Sequence, residues 1–243
     1  MVRLAPNMIN PRIPRVLRTV AQTTFPYSDI VAYWRLDETS GTRYDATGKG
    51  HTLTPNGAPV VVPGILGNCF DSQASASVYL GTTEVADFRP GANPFSVQAW
   101  LQLDVVTAAA QFIGCWTSTG NLRGWSLLGD TGPTMGFRLS PDGTTVYTAN
   151  SNAAPAMHPA WNHYVGVYTG SKIYLYENGV LATDQVTYSS GVYAGATPLR
   201  VSSYPSGSPV NARIDEVGFW NRALTLAEIQ TLYNGGNGLA YPI

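Results

Sequence analysis

Charge is scarce in this sequence: Asp, Glu, Lys and Arg make up only 12% of its 243 residues. Beside 44% hydrophobic residues, that scarcity argues against a disordered chain and against a coiled coil. The length suits one large β-sandwich or two small domains. A net charge of −1 excludes generic nucleic-acid binding by the whole molecule. Cysteine is nearly absent. Cys69 and Cys115 make no disulfide framework; a single bridge is open to them, but free thiols prefer burial, so two buried thiols on strands are expected. No run reaches the roughly 18 apolar residues of a membrane span, so no membrane insertion is expected. After Arg3 come prolines and asparagines in place of a secretory signal's apolar core, so the product is expected to stay where it is made until released.

Catalytic signatures are missing as well. There is no Gly-x-Ser-x-Gly elbow, no His-Glu-x-x-His pair and no Glu-x-Asp-x-Glu run setting three acids on one strand face. Asp37-Glu38 and Asp215-Glu216 are adjacent pairs, which on a strand point to opposite faces. His51, His158 and His163 are isolated, and His163 alternates with core positions, as a buried hydrogen-bonded ring would. The chain is not expected to be an enzyme.

Strand and turn residues are abundant, with 25 Gly and 17 Pro. The stretch Trp161 to Ala182 predicts a three-stranded meander. Trp161, His163, Val165 and Val167 alternate with Asn162, Tyr164, Gly166 and Tyr168, so the two sets face opposite ways. Thr169-Gly170-Ser171 makes one turn. Asn178-Gly179 makes the next, because a type I′ hairpin needs φ > 0 at both central residues. Phe95, Val97, Ala99, Leu101 and Leu103 share one face of another strand; Ser96, Gln98, Trp100 and Gln102 share the other. Short strands are also expected at 30–36, 77–80, 111–116, 124–128, 135–139, 145–148, 198–203 and 212–220. One helix follows. Thr225 and Glu228 form a capping box, Leu224 and Ile229 a hydrophobic staple, and Gly235 stands near the C′ position. Residues 1–28 differ from the rest. They hold Pro6, Pro11, Pro14 and Pro26, with Arg3, Arg12, Arg15 and Arg18 and no acid. Of the 14 basic residues four fall here, which leaves 10 against 15 acidic ones, a net −5. The segment reads as a loose tail or as a docking arm, and its high apolar content favours docking.

Several motifs resemble one family. Tyr33-Trp34-x-Leu36-Asp37-Glu38-x-Ser40-Gly41-Thr42 comes first, then Asp45-x-x-Gly48-x-Gly50, the turn Pro63 to Asp71, Trp161-x-His163, Tyr176-x-Asn178-Gly179 and Ile214-Asp215-Glu216-Val217. Together with the closing helix they are similar to the laminin-G-like, concanavalin-A-like jelly rolls, over roughly residues 30 to 238. The resemblance implies an all-β, antiparallel two-sheet sandwich with one short C-terminal helix: residues 1–28 an extended, basic, Pro-rich docking arm, residues 29–243 the jelly-roll domain. It also implies Ca²⁺ near the joined chain ends, with Asp45 and Asp215 as ligands. The competing reading makes Asp45 a turn residue and Asp215 a hydrogen-bonded or ion-paired acid, since calcium wants six to eight oxygens.

Sugar sites use aromatic platforms ringed by amides and carboxylates. Trp100, Trp116, Trp125, Tyr147, Tyr188, Tyr193 and Tyr204 are candidates, with Trp116, Trp125, Tyr193 and Tyr204 singled out; the competing reading places most of these rings in the core. A jelly roll behind a basic, Pro-rich arm is similar in architecture to bacteriophage decoration and tail proteins. The function expected is a non-enzymatic virion display protein made in the host cytoplasm. Its arm docks on virion subunits, its loops meet host glycans, and it forms a homo-oligomer. The alternative is a secreted, extracellular, calcium-dependent carbohydrate-binding module; a third is a glycoside hydrolase or lyase.

Overall fold

The computed structural model describes residues 29–239 and 241, apart from 76, 84–85, 131–132, 183–184, 196 and 203–209. Arg3, Arg12, Arg15, Arg18 and Tyr204 lie outside the described residues. In chain order the strands are β1 (Ile30–Trp34), β2 (Thr54–Asn56), β3 (Val60–Pro63), β4 (Asn68–Asp71), β5 (Tyr79–Gly81), β6 (Phe95–Val105), β7 (Gln111–Thr117) and β8 (Leu122–Gly129). Then come β9 (Met135–Leu139), β10 (Tyr147–Asn150), β11 (Trp161–Tyr168), β12 (Lys172–Glu177), β13 (Val180–Leu181), β14 (Val186–Thr187), β15 (Arg200–Val201), β16 (Asn211–Trp220) and helix α1 (Leu226–Tyr233).

The strands form two antiparallel sheets. The nine-stranded one runs β13-β12-β11-β6-β16-β4-β3, with β1 on β16 and β14 on β12. The seven-stranded one runs β10-β9-β8-β7-β15-β5-β2. Period-two alternation fills the space between them. Phe95, Val97, Ala99, Leu101 and Leu103 of β6 meet Trp125 and Leu127 of β8 and Phe137 of β9 in one apolar core. Gly166 of β11 lies where the Phe137 ring comes nearest, leaving no room for a side chain. Cys69 and Cys115 are buried free thiols on strands of different sheets.

A second apolar layer covers the outer face of the nine-stranded sheet. Ile229 and Leu232 of α1 pack with Leu224 on Tyr33, Val165, Val167 and Trp220. The helix starts as its sequence requires. Thr225 accepts from the Glu228 amide, and the Glu228 carboxylate accepts from the Thr225 amide. It ends with Asn234 (φ 49) and Gly235 (φ 60) both left-handed. Asn178 (φ 51) and Gly179 (φ 76) close the β12–β13 hairpin with the two positive φ values a type I′ turn needs. Strands β2 and β3 contain Pro55 and Pro63 and have no counterpart among the strands expected from the sequence. Both strands end their sheets, where a missing N–H is tolerated. The strand expected over 198–203 narrows to β15.

The polar residues of this outer layer pair with one another. His163 is fully buried, and its ring centroid lies 5.0 Å from that of Trp100, its cross-strand partner. Its Nε2 lies 3.1 Å from Gln98 Oε1, so the neutral ring donates there. Burial lowers the imidazole pKa to about 3, against about 6.5 in an unfolded chain. Between those values the folded protein binds fewer protons than the unfolded chain. The stability this residue contributes is therefore complete above the unfolded value and lost as pH falls toward the folded one. Acidification from about pH 7 to about pH 4 is expected to lower the melting temperature of the wild type relative to that of His163→Gln, because the buried acids Asp215 and Glu216 titrate alike in both proteins. Equal slopes for the two proteins would contradict a buried neutral His163.

Candidate functional site

Four of the stretches carrying family-like motifs, residues 33–42, 45–50, 63–71 and 214–217, meet at one rim, where β1 leaves the nine-stranded sheet. Leu36 is fully buried and left-handed (φ 63), turning the chain so that Asp37 and Glu38 follow at the edge. A non-glycine residue in that conformation costs about 1–2 kcal/mol, so its surroundings must hold it. Asp37 Oδ1 accepts from the Asn68 amide at 2.8 Å, and the Asn68 side chain returns a 3.0 Å bond to the Asp37 carbonyl. Glu38 Oε1 accepts from the Tyr44 amide at 2.6 Å. Beneath them, the fully buried Arg43 side chain donates to the Gly41 carbonyl, with Nε 4.0 Å from Glu38 Oε2.

The turn Gly64 to Gly67 packs against the same acids. Asp215 Oδ2 accepts from the amides of Ile65 (3.0 Å) and Leu66 (3.2 Å), and its Oδ1 from the Glu216 amide (2.9 Å). A side chain at Gly64 would strike Asp215, and one at Gly67 would strike Asp37. These glycines thus allow the close approach of turn to carboxylate. Glu216 is left-handed (φ 48), at an irregularity in the β6–β16 register between Asp215 and Gly218. Its carboxylate accepts from the Tyr33 hydroxyl. Burial raises the pKa of Asp215, and the Glu216 charge raises it further against the Leu66 and Glu216 amides. Burial raises Glu216 too; the Tyr33 hydroxyl opposes this and the Asp37 charge adds to it.

Asp45 lies in the neighbouring loop. Its Oδ1 accepts from the Tyr33 amide (3.1 Å), the Thr47 amide (3.0 Å) and the Thr47 hydroxyl (2.7 Å), and its Oδ2 from the His51 amide (3.2 Å). Asp45 and Asp215 thus have both oxygens engaged by donors of the chain. Among the described residues no three His, Cys, Asp or Glu side chains gather as a metal-holding group. This donor set does not fit Ca²⁺, which needs six to eight oxygens.

Beside the acids an open pocket of about 360 Å³ is lined by Arg35, Asp37, Glu38, Tyr44 and Ala46. Tyr44 is 66% exposed, so its ring stands in solvent at the pocket wall. Arg35 is held by donating Nη2 to the Tyr241 carbonyl. The pocket thus offers an apolar ring face, two hydrogen-bond-accepting carboxylates and a guanidinium donor, the mixture that holds a polyhydroxylated ligand.

The aromatic residues singled out from the sequence sit elsewhere. Trp125 is not a ligand platform. It is fully buried in the inter-sheet core, shares the inward face of β8 with Leu127, and donates Nε1 to the Phe88 carbonyl at 2.8 Å. Trp116 is buried too, with the Arg138 guanidinium 4.2 Å above its ring. Trp100 is packed beside His163 and Tyr233. Tyr147 and Tyr188 contact each other at 4.7 Å. Tyr193 is half-buried, in a segment that does converge on the β7–β8 connection, where Thr197 Oγ1 donates to the Leu122 carbonyl at 2.7 Å. Sequence reading passed over the Tyr44 ring, whose signal was an aromatic inside a polar, Gly-punctuated loop with no apolar neighbour to pack on.

Comparison with known proteins agrees with this architecture. The structure superposes on the binding domain of Paraclostridial mosquitocidal protein 1 with a TM-score of 0.72 at 12% identity, over 86% of this chain and 52% of that one. Domain 4 of AbnA, a GH43 extracellular arabinanase from Geobacillus stearothermophilus solved with arabinotriose, gives a TM-score of 0.64 at 17% identity, over 84% and 97%. Botulinum neurotoxin type C, whose cell entry depends on two ganglioside molecules, gives 0.64 at 14% identity, over 85% and 51%. The chain spans about half the length of the two toxin structures. At these identities the likeness is one of fold. No curated protein matches the sequence. A laminin-G family profile, described as the concanavalin A-like lectin/glucanases superfamily, matches residues 72–230. With most of the chain inside that match and a two-sheet jelly roll in the structure, the chain belongs to the concanavalin A-like lectin/glucanase superfamily.

Proposed function

We propose that this chain is a non-enzymatic carbohydrate-binding module whose ligand lies against Tyr44. The observation that carries this reading is an exposed aromatic ring in a pocket that also presents Asp37, Glu38 and Arg35. The flat of the ring takes the C–H face of a sugar, the carboxylates accept from its hydroxyls, and Arg35 donates to a ring or hydroxyl oxygen. The arabinotriose bound to the AbnA domain and the gangliosides of the type C toxin are in keeping with such a role. Asp37 and Glu38 are neighbours on one turn, whereas glycoside hydrolysis needs two carboxyl groups flanking the bond.

Display of the module on a virion is the finer proposal. It rests on the composition of residues 1–28, with Arg3, Arg12, Arg15 and Arg18 meeting acidic groups of a partner subunit and homo-oligomers forming through the arm. Secretion as an extracellular module is the alternative placement.

Tyr44→Ala is expected to weaken oligosaccharide binding by about tenfold or more, the loss of one stacking platform, with no change in melting temperature because the ring is exposed. A glycan-binding screen followed by calorimetry checks this; unchanged affinity would move the site elsewhere. Binding is further expected to be independent of calcium. Asp45→Ala should lower stability by about 1–3 kcal/mol through its orphaned amides, equally with and without a chelator. A wild-type protein that loses stability or sugar binding on chelation would reverse that reading.

A further inference from the structure

A second pocket, of about 270 Å³, lies at the β2 edge of the seven-stranded sheet and shares no lining residue with the Tyr44 pocket. Strand register builds it. Thr54 of β2 stands opposite Gly81 of β5, and Gly81 opposite Arg200 of β15. Tyr79 is two residues from Gly81 on the same strand and so shares its face, while Leu80 between them enters the core. Tyr79 and Arg200 are therefore diagonal cross-strand neighbours, within reach for long side chains. The Arg200 guanidinium carbon lies 4.1 Å from the Tyr79 ring centroid. Gly81 keeps the middle of the row open. A Cβ there would meet nothing closer than 3.5 Å, with the Tyr79 ring and Arg200 Cγ among its neighbours.

Among the described residues that line this pocket the charge is unbalanced: Arg200 is the one charged residue and none is an acid. Among the described residues its guanidinium has no hydrogen-bond or ion-pair partner, although its backbone pairs in the sheet. Its place over the Tyr79 ring face leaves the N–H donors of the guanidinium unused. Asn56 donates Nδ2 to the Ser77 carbonyl at 2.7 Å, which leaves its Oδ1 as an acceptor. Thr54 and Thr83 add hydroxyls to the wall.

We propose that this pocket binds the carboxylate of an acidic saccharide, as a second site independent of the Tyr44 pocket. A planar guanidinium fork matches a carboxylate through two parallel hydrogen bonds. One positive charge balances one carboxylate, but would leave a phosphate dianion partly uncompensated. Thr54, Asn56 and Thr83 pair with the hydroxyls that flank the carboxylate on a sugar ring.

The test is calorimetry on the full chain with an oligogalacturonate, the same oligomer methyl-esterified, and inorganic phosphate as competitor. The wild type is expected to prefer the acid over the ester by about tenfold or more, the range for hydrogen bonds to a charged group. Arg200→Gln should abolish that preference, and Arg200→Lys, with charge but no fork, should restore only part of it. Tyr44→Ala should leave the preference intact, which separates this site from the other. Gly81→Val fills the pocket with Arg200 in place and should also remove the preference. The proposal is overturned if the wild type does not bind the uronate or binds acid and ester alike. It is equally overturned if Arg200→Gln or folded Gly81→Val keeps the preference, if Tyr44→Ala abolishes it, or if millimolar phosphate displaces the uronate.

Discussion

Strands β6 and β16 lie side by side and are buried on both faces, and much of the molecule follows from that. One face enters the inter-sheet core; the other lies under α1 and the loops that flank it. Polar residues on the second face have no water to bond and must pair within the protein. Ser96 bonds the Arg222 carbonyl and the Leu224 amide, both at 2.9 Å, which ties the start of the helix to the sheet. Gln98 joins His163 to Tyr33, and Tyr33 donates to Glu216. A single hydrogen-bonded chain thus runs from beneath the helix to the rim that carries the candidate site.

That rim depends on the irregularity at Glu216. The register of β16 against β6 shifts between Asp215 and Gly218, and Asp215 is there bonded to the turn Gly64 to Gly67. The turn in turn brings Asn68 to Asp37. Buried acids therefore hold the scaffold, while the half-exposed acids Asp37 and Glu38 face the pocket beside Tyr44. Asp45 and Asp215 thus have both oxygens taken up by donors of the chain, while Asp37 and Glu38, in the segment just before Asp45, line the open pocket.

Local signals were legible in the sequence and long-range ones were not. The β6 alternation, the Asn178-Gly179 turn and the Thr225 capping box each depend on residues within a few positions of one another, and each stands where expected. His163 was legible as a buried ring because it alternates with Val165 and Val167. Trp125 was misplaced although it alternates with Leu127, because the face an aromatic takes is decided by the opposite sheet. The Tyr79–Arg200 pair had no local signal, since it joins two short strands far apart in the chain that become diagonal neighbours only through register. Strands β2 and β3 were hidden by their prolines, which only an edge position tolerates.

The surface proposed to face the sugar is the loop from Arg35 to Ala46. Amide chemical-shift mapping during titration with a neutral oligosaccharide tests it most directly. Saturable shifts are expected at residues 35–46 and at the Gly64 to Asn68 turn bonded to them. Saturable shifts confined to the β7–β8 and β9–β10 connections, with the 35–46 amides unmoved, would contradict it.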